Sequence, residues 1–87
     1  MATYRTNNIS FDLINSSSAT VQFDVEKLDT EWVHIQTATT TIDTSKSAID
    51  IAKDIGNVAK EIATRDALLN VTFLEVIAIL TSKEFEV

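Results

Sequence analysis

The chain has 87 residues, of which 45% are hydrophobic and 23% charged, and its formal net charge is −6. This length fits one domain, and the composition is typical of a folded chain rather than a disordered one. The absence of cysteine excludes disulfides and thiolate metal sites. Seven basic side chains against thirteen acidic ones leave no basic footprint for direct nucleic-acid binding.

Three stretches of the first half alternate between apolar and polar side chains, which is the period of a half-buried strand. Their apolar sides carry, in chain order, Ile9, Phe11 and Leu13, then Val21, Phe23 and Val25, then Val33 and Ile35. Residues 16–18 and 28–30 separate the stretches and suit turns. The first 42 residues therefore predict a three-stranded antiparallel meander with one apolar face.

The register of this meander follows from matching the apolar sides of neighbouring strands. We expect Phe11 opposite Phe23, and Val25 opposite Val33. The same register places Asp24 opposite His34. A slip of two residues would preserve the faces.

Residues 43–65 carry the pattern of an amphipathic helix. Ser47 offers an N-cap, and Ile51, Ile55 and Ile62 keep the helical period on one side. The only glycine, Gly56, either lies within a continuous helix or ends a first one. Asp66 falls where the apolar stripe expects a hydrophobic residue, so we predict a break at residues 64–66.

Residues 67–80, with the sequence ALLNVTFLEVIAIL, form the most apolar run in the chain. As a helix this run is apolar nearly all round, which predicts burial on most sides. As a strand, residues 71–80 would be apolar on both faces. The run is too short to span a bilayer, which needs roughly 20 apolar residues. The alternating tail, residues 83–87, could add a short strand.

The predicted fold is α+β in a single domain, residues 1–87. A meander (1–42) precedes an amphipathic helix (43–65), a second and mostly buried apolar helix (66–82) and a tail (83–87). The alternative is βββαβ, with residues 71–80 as a fourth strand. The N-terminal segment lacks the apolar stretch of a secretory leader, so we expect a cytoplasmic protein.

The polar face of the meander holds the candidate site residues, which are Asp12, Asp24, Glu26, Trp32 and His34. A carboxylate beside an imidazole can orient it for proton transfer, but no nucleophile completes the pair. No cofactor motif or spaced metal-ligand cluster is present, so no cofactor is expected. A tryptophan on a polar face suits a partner anchor, although packing within the chain, for example against Tyr4, would also explain it.

These features favour a small non-enzymatic protein-interaction module that forms a homodimer or larger homo-oligomer. One alternative is an acidic inhibitor or antitoxin-like protein, of phage or mobile-element type, that blocks a basic groove on an enzyme. A second alternative is a ligand-binding or catalytic domain built on Asp24 and His34. We expect no membrane association.

Overall fold

The computed structural model describes residues 2–84 and residue 86. Three strands, β1 (Thr3–Asn15), β2 (Ser18–Leu28) and β3 (Trp32–Asp43), form an antiparallel sheet in the order β1-β2-β3. One long helix follows, in which α1 (Ala48–Ala67) continues through a π-helical turn (Leu68–Thr72) into α2 (Phe73–Thr81). The predicted α+β class, a meander followed by an amphipathic and an apolar helix, is confirmed.

The predicted register is wrong in both hairpins. Phe11 lies opposite Val21 rather than Phe23, a slip of two residues that keeps the same side chains on the apolar face. Val25 lies opposite Gln36 rather than Val33. The first hairpin turns through Ser16 and Ser17 alone, because Asn15 already pairs with Ser18.

Each pair of strands also contains one register shift within its ladder. The β1–β2 register shifts between Asn7 and Ser10, and Asn8 adopts a φ of 50° there. Asparagine tolerates this left-handed conformation better than most residues do. The β2–β3 register shifts beside Val25, so that Glu26 lies opposite His34. Alternation alone does not reveal such bulges.

The core lies between the apolar face of the sheet and α1. Its buried members are Ala19, Val21, Phe23, Val25, Ala38, Ile42, Ile55 and Ile62. The central strand β2 supplies four of these eight side chains, because both of its neighbours and the helix cover it. Ser47 caps α1, with its Oγ accepting a 3.3 Å hydrogen bond from the Asp50 backbone N–H.

The apolar run is helical, so the alternative of a fourth strand is wrong. The helix does not break at residues 64–66, and the irregularity comes slightly later, as the π-helical turn. The expectation of burial is also wrong, because no strand has a Cα within 8 Å of the described α2. The possible tail strand lies partly outside the described residues.

The molecule is elongated because the end of the helix projects past the sheet. Its principal extents are 64 × 34 × 19 Å and its radius of gyration is 17.9 Å. A compact chain of this length would have a radius of gyration of about 12 Å. Within the described residues, no helix combines the length and apolar character needed to cross a lipid bilayer.

Candidate functional site

The polar face of the sheet carries a hydrogen-bonded cluster around Asp24. Asp24 Oδ1 accepts a 2.6 Å bond from the Thr37 hydroxyl, and Oδ2 accepts a 2.8 Å bond from Asn8 Nδ2. The bulge in β1 therefore brings Asn8 to this carboxylate. These two bonds, Thr37 first, hold the pKa of Asp24 below its usual value.

The prediction that Asp24 lies opposite His34 is wrong, because Asp24 lies opposite Thr37 and His34 lies opposite Glu26. His34 joins the cluster through Thr37. Its Nε2 lies 3.0 Å from Thr37 Oγ1 and 3.5 Å from Asp24 Oδ1. The Thr37 hydroxyl has one proton and donates it to Asp24, so it can only accept from His34. The histidine thus acts as a donor here, which is the reverse of a base that activates a hydroxyl nucleophile.

Trp32 lies on the same face, at the end of the sheet where β3 begins. The Arg5 guanidinium carbon is 4.2 Å from the centroid of the tryptophan ring, a cation–π contact. Arg5 Nε also donates a 2.7 Å bond to Glu26 Oε1. Tyr4 points to the other face of the sheet, where its hydroxyl bonds Asp66. Arg5, rather than Tyr4, is therefore the neighbour that packs on Trp32.

Asp12 is separated from this group. It lies opposite Thr20, four residues along β2 from Asp24. The structure therefore brings Asp24, Glu26, Trp32 and His34 to one end of the polar face and leaves Asp12 at the other. Within the described part of the chain, no three potential metal-ligating side chains come together.

The opposite face of the sheet holds an open cleft that the sequence did not predict. We call it the crevice, and it runs between β1 and α1. A cavity of about 790 Å³ is lined by Ile9, Phe11 and Leu13 from the strand and by Ala52, Ile55 and Gly56 from the helix, among others. A second cavity of about 350 Å³ continues it past Thr6 towards Tyr4 and Ala63. No charged side chain lines the larger cavity.

The second unexpected surface is the end of the helix, residues 68–81, which we call the projecting helix. Its large hydrophobic side chains expose between 36% and 66% of their surface. They are Leu68, Leu69, Val71, Phe73, Leu74, Val76, Ile77, Ile79 and Leu80. Glu75 is the only charged residue in this segment. The sequence predicted that these residues are buried, but no described strand of the same chain packs against them.

Asp66 marks the point at which the helix leaves the sheet. Its Oδ2 accepts a 2.7 Å bond from the Tyr4 hydroxyl and lies 4.0 Å from Lys27 Nζ. Burial, and then this bond, raise the pKa of Tyr4 to about 12. The Asn70 side-chain amide donates to both the carbonyl and Oδ1 of Asp66, which braces the π-helical turn. Such turns occur frequently at functional sites.

Comparison with known proteins adds no functional assignment. The sequence matches no known protein family, and neither curated proteins nor solved structures resemble it significantly. The geometry of the two faces is therefore the basis for the proposals below.

Proposed function

We propose that this protein is a non-enzymatic interaction module that works as a homo-oligomer. The observation that carries the proposal is the surface left exposed by one chain, 6649 Å². A compact monomer of 9.6 kDa exposes only about 5,100 Å². The excess, roughly 1,500 Å², is on the scale of a protein interface.

The exposed surface is most apolar in the projecting helix and in the crevice. The projecting helix and the strand side of the crevice present a large share of the exposed hydrophobic side chains. The projecting helix carries one charged residue, Glu75, and the described residues that line the larger cavity are uncharged. Monomeric proteins seldom expose contiguous apolar patches of this size. A chain that carries six net negative charges can associate with itself most favourably through such uncharged surfaces.

The test is the mass of the protein in solution, measured by light scattering across a range of concentrations. We expect an oligomer that dissociates on dilution. Ile77→Asp, in the projecting helix, should give a monomer with an unchanged circular-dichroism signature of the sheet. Ile49→Asp is the matched control, since Ile49 is 70% exposed in the first turn of α1 and an acidic residue is favourable there. A wild-type monomer at all concentrations would refute the proposal.

The polar face supports a second proposal, that Trp32, His34, Asp24, Glu26 and Asp12 contact a protein partner. Trp32 is half-buried rather than fully packed within the chain. A partner with a basic surface, as in the inhibitor or antitoxin-like hypothesis, receives less support, because Glu26 and Asp24 already hold Arg5, Asn8 and Thr37. Binding to such a partner should weaken steeply with salt.

We propose a cytoplasmic location for the protein. A chain without cysteine forms no disulfides, so it does not depend on an oxidising compartment.

The catalytic hypothesis on Asp24 and His34 is the least supported. The histidine proton faces Thr37, and that hydroxyl is already committed to the carboxylate. His34→Ala should therefore leave unchanged every property that the protein has without a bound partner.

A further inference from the structure

We propose that the projecting helix of one copy lies in the crevice of a second copy, antiparallel to its α1, and that the exchange is reciprocal about a two-fold axis near Arg65. This inference rests on the proposed self-association and names its geometry. Each copy would supply a second helix that lies over the sheet of the other copy. Four observations support this arrangement.

The first observation is the space over the sheet. Adjacent strands lie about 4.8 Å apart and a helix with its side chains is about 10 Å wide, so one helix covers about two strands. In this chain α1 packs mainly over β3 and β2, and the crevice opens over β1. Phe11 and Leu13 are consequently 58% and 68% exposed. The crevice is the place for a second helix.

The second observation is length. The crevice follows α1 from Ala48 to Ala63, which spans about 23 Å at 1.5 Å per residue. The projecting helix from Leu68 to Leu80 spans about 18 Å. It leaves the sheet at the Tyr4 end, where the second cavity of the crevice lies. A second copy arranged head to head would therefore receive it from that end.

The third observation is the small residues of α1. The side of α1 that faces the crevice carries Ala48, Ala52, Gly56, Ala59 and Ala63. A Cβ added at Gly56 would meet none of the described residues within 4 Å, its chain neighbours and the backbone of its own helix aside. A mid-helix glycine costs about 1 kcal/mol relative to alanine, and no contact among the described residues accounts for it. Small residues let a second helix approach closely, and Leu74 of one copy would lie level with Gly56 of the other.

The fourth observation is that the projecting helix cannot fill the crevice of its own chain. The helix continues unbroken through the π-helical turn, and it contains no proline and no glycine beyond Gly56. Folding back would require a sharp bend after Asp66.

The area agrees with a stable dimer. A fully exposed aliphatic side chain presents on the order of 100 Å² of apolar surface, so nine at about half exposure present roughly 450 Å² in each copy. Two projecting helices and the two crevices that receive them would bury at most on the order of 1,800 Å² in total, an upper bound that lies within the range of standard stable interfaces.

The experiment is a pair of single-cysteine variants, Arg65→Cys and Glu75→Cys, each spin-labelled for distance measurement between copies by pulsed electron resonance. The chain has no other cysteine, and both positions are exposed. The proposal expects a distance below about 20 Å between labels at 65, because the paired helices lie 8–10 Å apart there. Labels at 75 should be about 30 Å apart, since the two positions lie twenty residues apart along the antiparallel pair.

Two other results would overturn the inference. A short distance at 75 with a long distance at 65 would show that the projecting helices pair with each other at their tips, and the proposed self-association would survive. A monomeric wild type would remove both proposals. Gly56→Leu gives an independent readout, because bulk in the crevice should weaken dimerisation at least about tenfold. Asn57→Leu, at the next and exposed position of the same helix, should leave dimerisation unchanged, and equal weakening by both variants would also count against the crevice.

Discussion

The Tyr4 hydroxyl donates a 2.7 Å hydrogen bond to Asp66 Oδ2, joining two residues that are 62 positions apart. It ties the start of β1 to the last part of the helix that still covers the sheet. Up to this point the helix packs on its own chain, and beyond it the helix projects. The contact therefore fixes the direction in which the projecting helix leaves.

Removing this hydroxyl should loosen the end of the sheet. We expect Tyr4→Phe to lower the free energy of unfolding by about 1 kcal/mol, the usual net value of one hydrogen bond. Denaturant unfolding of the Ile77→Asp background, in which self-association is expected to be absent, measures this. Thr3→Ala serves as a control at the neighbouring exposed position, and an equal loss there would show that the bond is not responsible.

The same tyrosine gives a pH dependence with a definite sign. Burial raises the pKa of Tyr4 to about 12, above the ordinary value of 10.0. A group whose pKa is raised by folding contributes stability below the unfolded value and loses it as the pH rises through the folded value. Stability should therefore fall between pH 10 and 12 in the wild type and fall less in Tyr4→Phe. Thermal unfolding across that range checks it, and identical slopes would contradict the assignment.

The carboxyl group of Asp24 should respond to Thr37. The Thr37 hydroxyl is the main cause that lowers the pKa of Asp24, so Thr37→Val should move that pKa up towards 3.8. Because the folded pKa is lowered, the cluster contributes stability above pH 3.8 and loses it as the pH falls through the folded value. Carboxyl-carbon NMR titration measures the shift. Thr39→Val, two residues further along β3, is the control, and a shift of equal size there would remove the role of the hydroxyl.

Trp32 and the crevice lie on opposite faces of the sheet, so they should be separable. Trp32→Ala should weaken capture of a partner by the polar face while the domain stays folded and self-association stays within about threefold of wild type. Light scattering gives the association constant, and affinity isolation followed by mass spectrometry gives the partner. Loss of self-association in Trp32→Ala would place the tryptophan in the dimer contact and contradict the proposed geometry.

The helix cap should matter at the other end of the sheet. Ser47→Ala should cost about 1 kcal/mol, because the Asp50 N–H loses its side-chain acceptor at the start of α1. Ser16→Ala, in the first hairpin turn, should cost less than half as much. Equal costs would mean that the 3.3 Å bond contributes little.

The sequence was sufficient for the strands, the helix and their order, because alternation and helical periodicity are local properties of the chain. It could not define the register, since the slip of two residues at Phe11 leaves that side chain on the same face. The bulges at Asn8 and beside Val25 have no signature in alternation either. Asp66 was interpreted as a break in the helix because it places a charge where the apolar stripe of the helix expects a hydrophobic residue. In the structure Asp66 accepts a hydrogen bond from the Tyr4 hydroxyl. Local sequence could not predict this contact, because Tyr4 lies 62 positions away along the chain.

The candidate site likewise combines features that the sequence predicts with features that it does not predict. The residues of the polar face were identified from the alternation of three strands, and Asp24 and His34 do approach each other, although through Thr37 rather than across the ladder. The crevice could not be predicted, because it depends on which strands α1 covers. The apolar run was predicted to be buried from its composition, and in the single chain it is exposed. The sequence of one chain could not show that the helix would project past the sheet.

The π-helical turn and the projecting helix also affect how a newly synthesised copy of the chain is handled in the cell. Before the proposed assembly, a single copy displays nine large hydrophobic side chains, most of them on a helical segment that no described strand contacts. Chaperones and proteases act on exposed surface of this kind. Unassembled copies would be removed faster than assembled ones, so assembly itself would set the abundance of the protein.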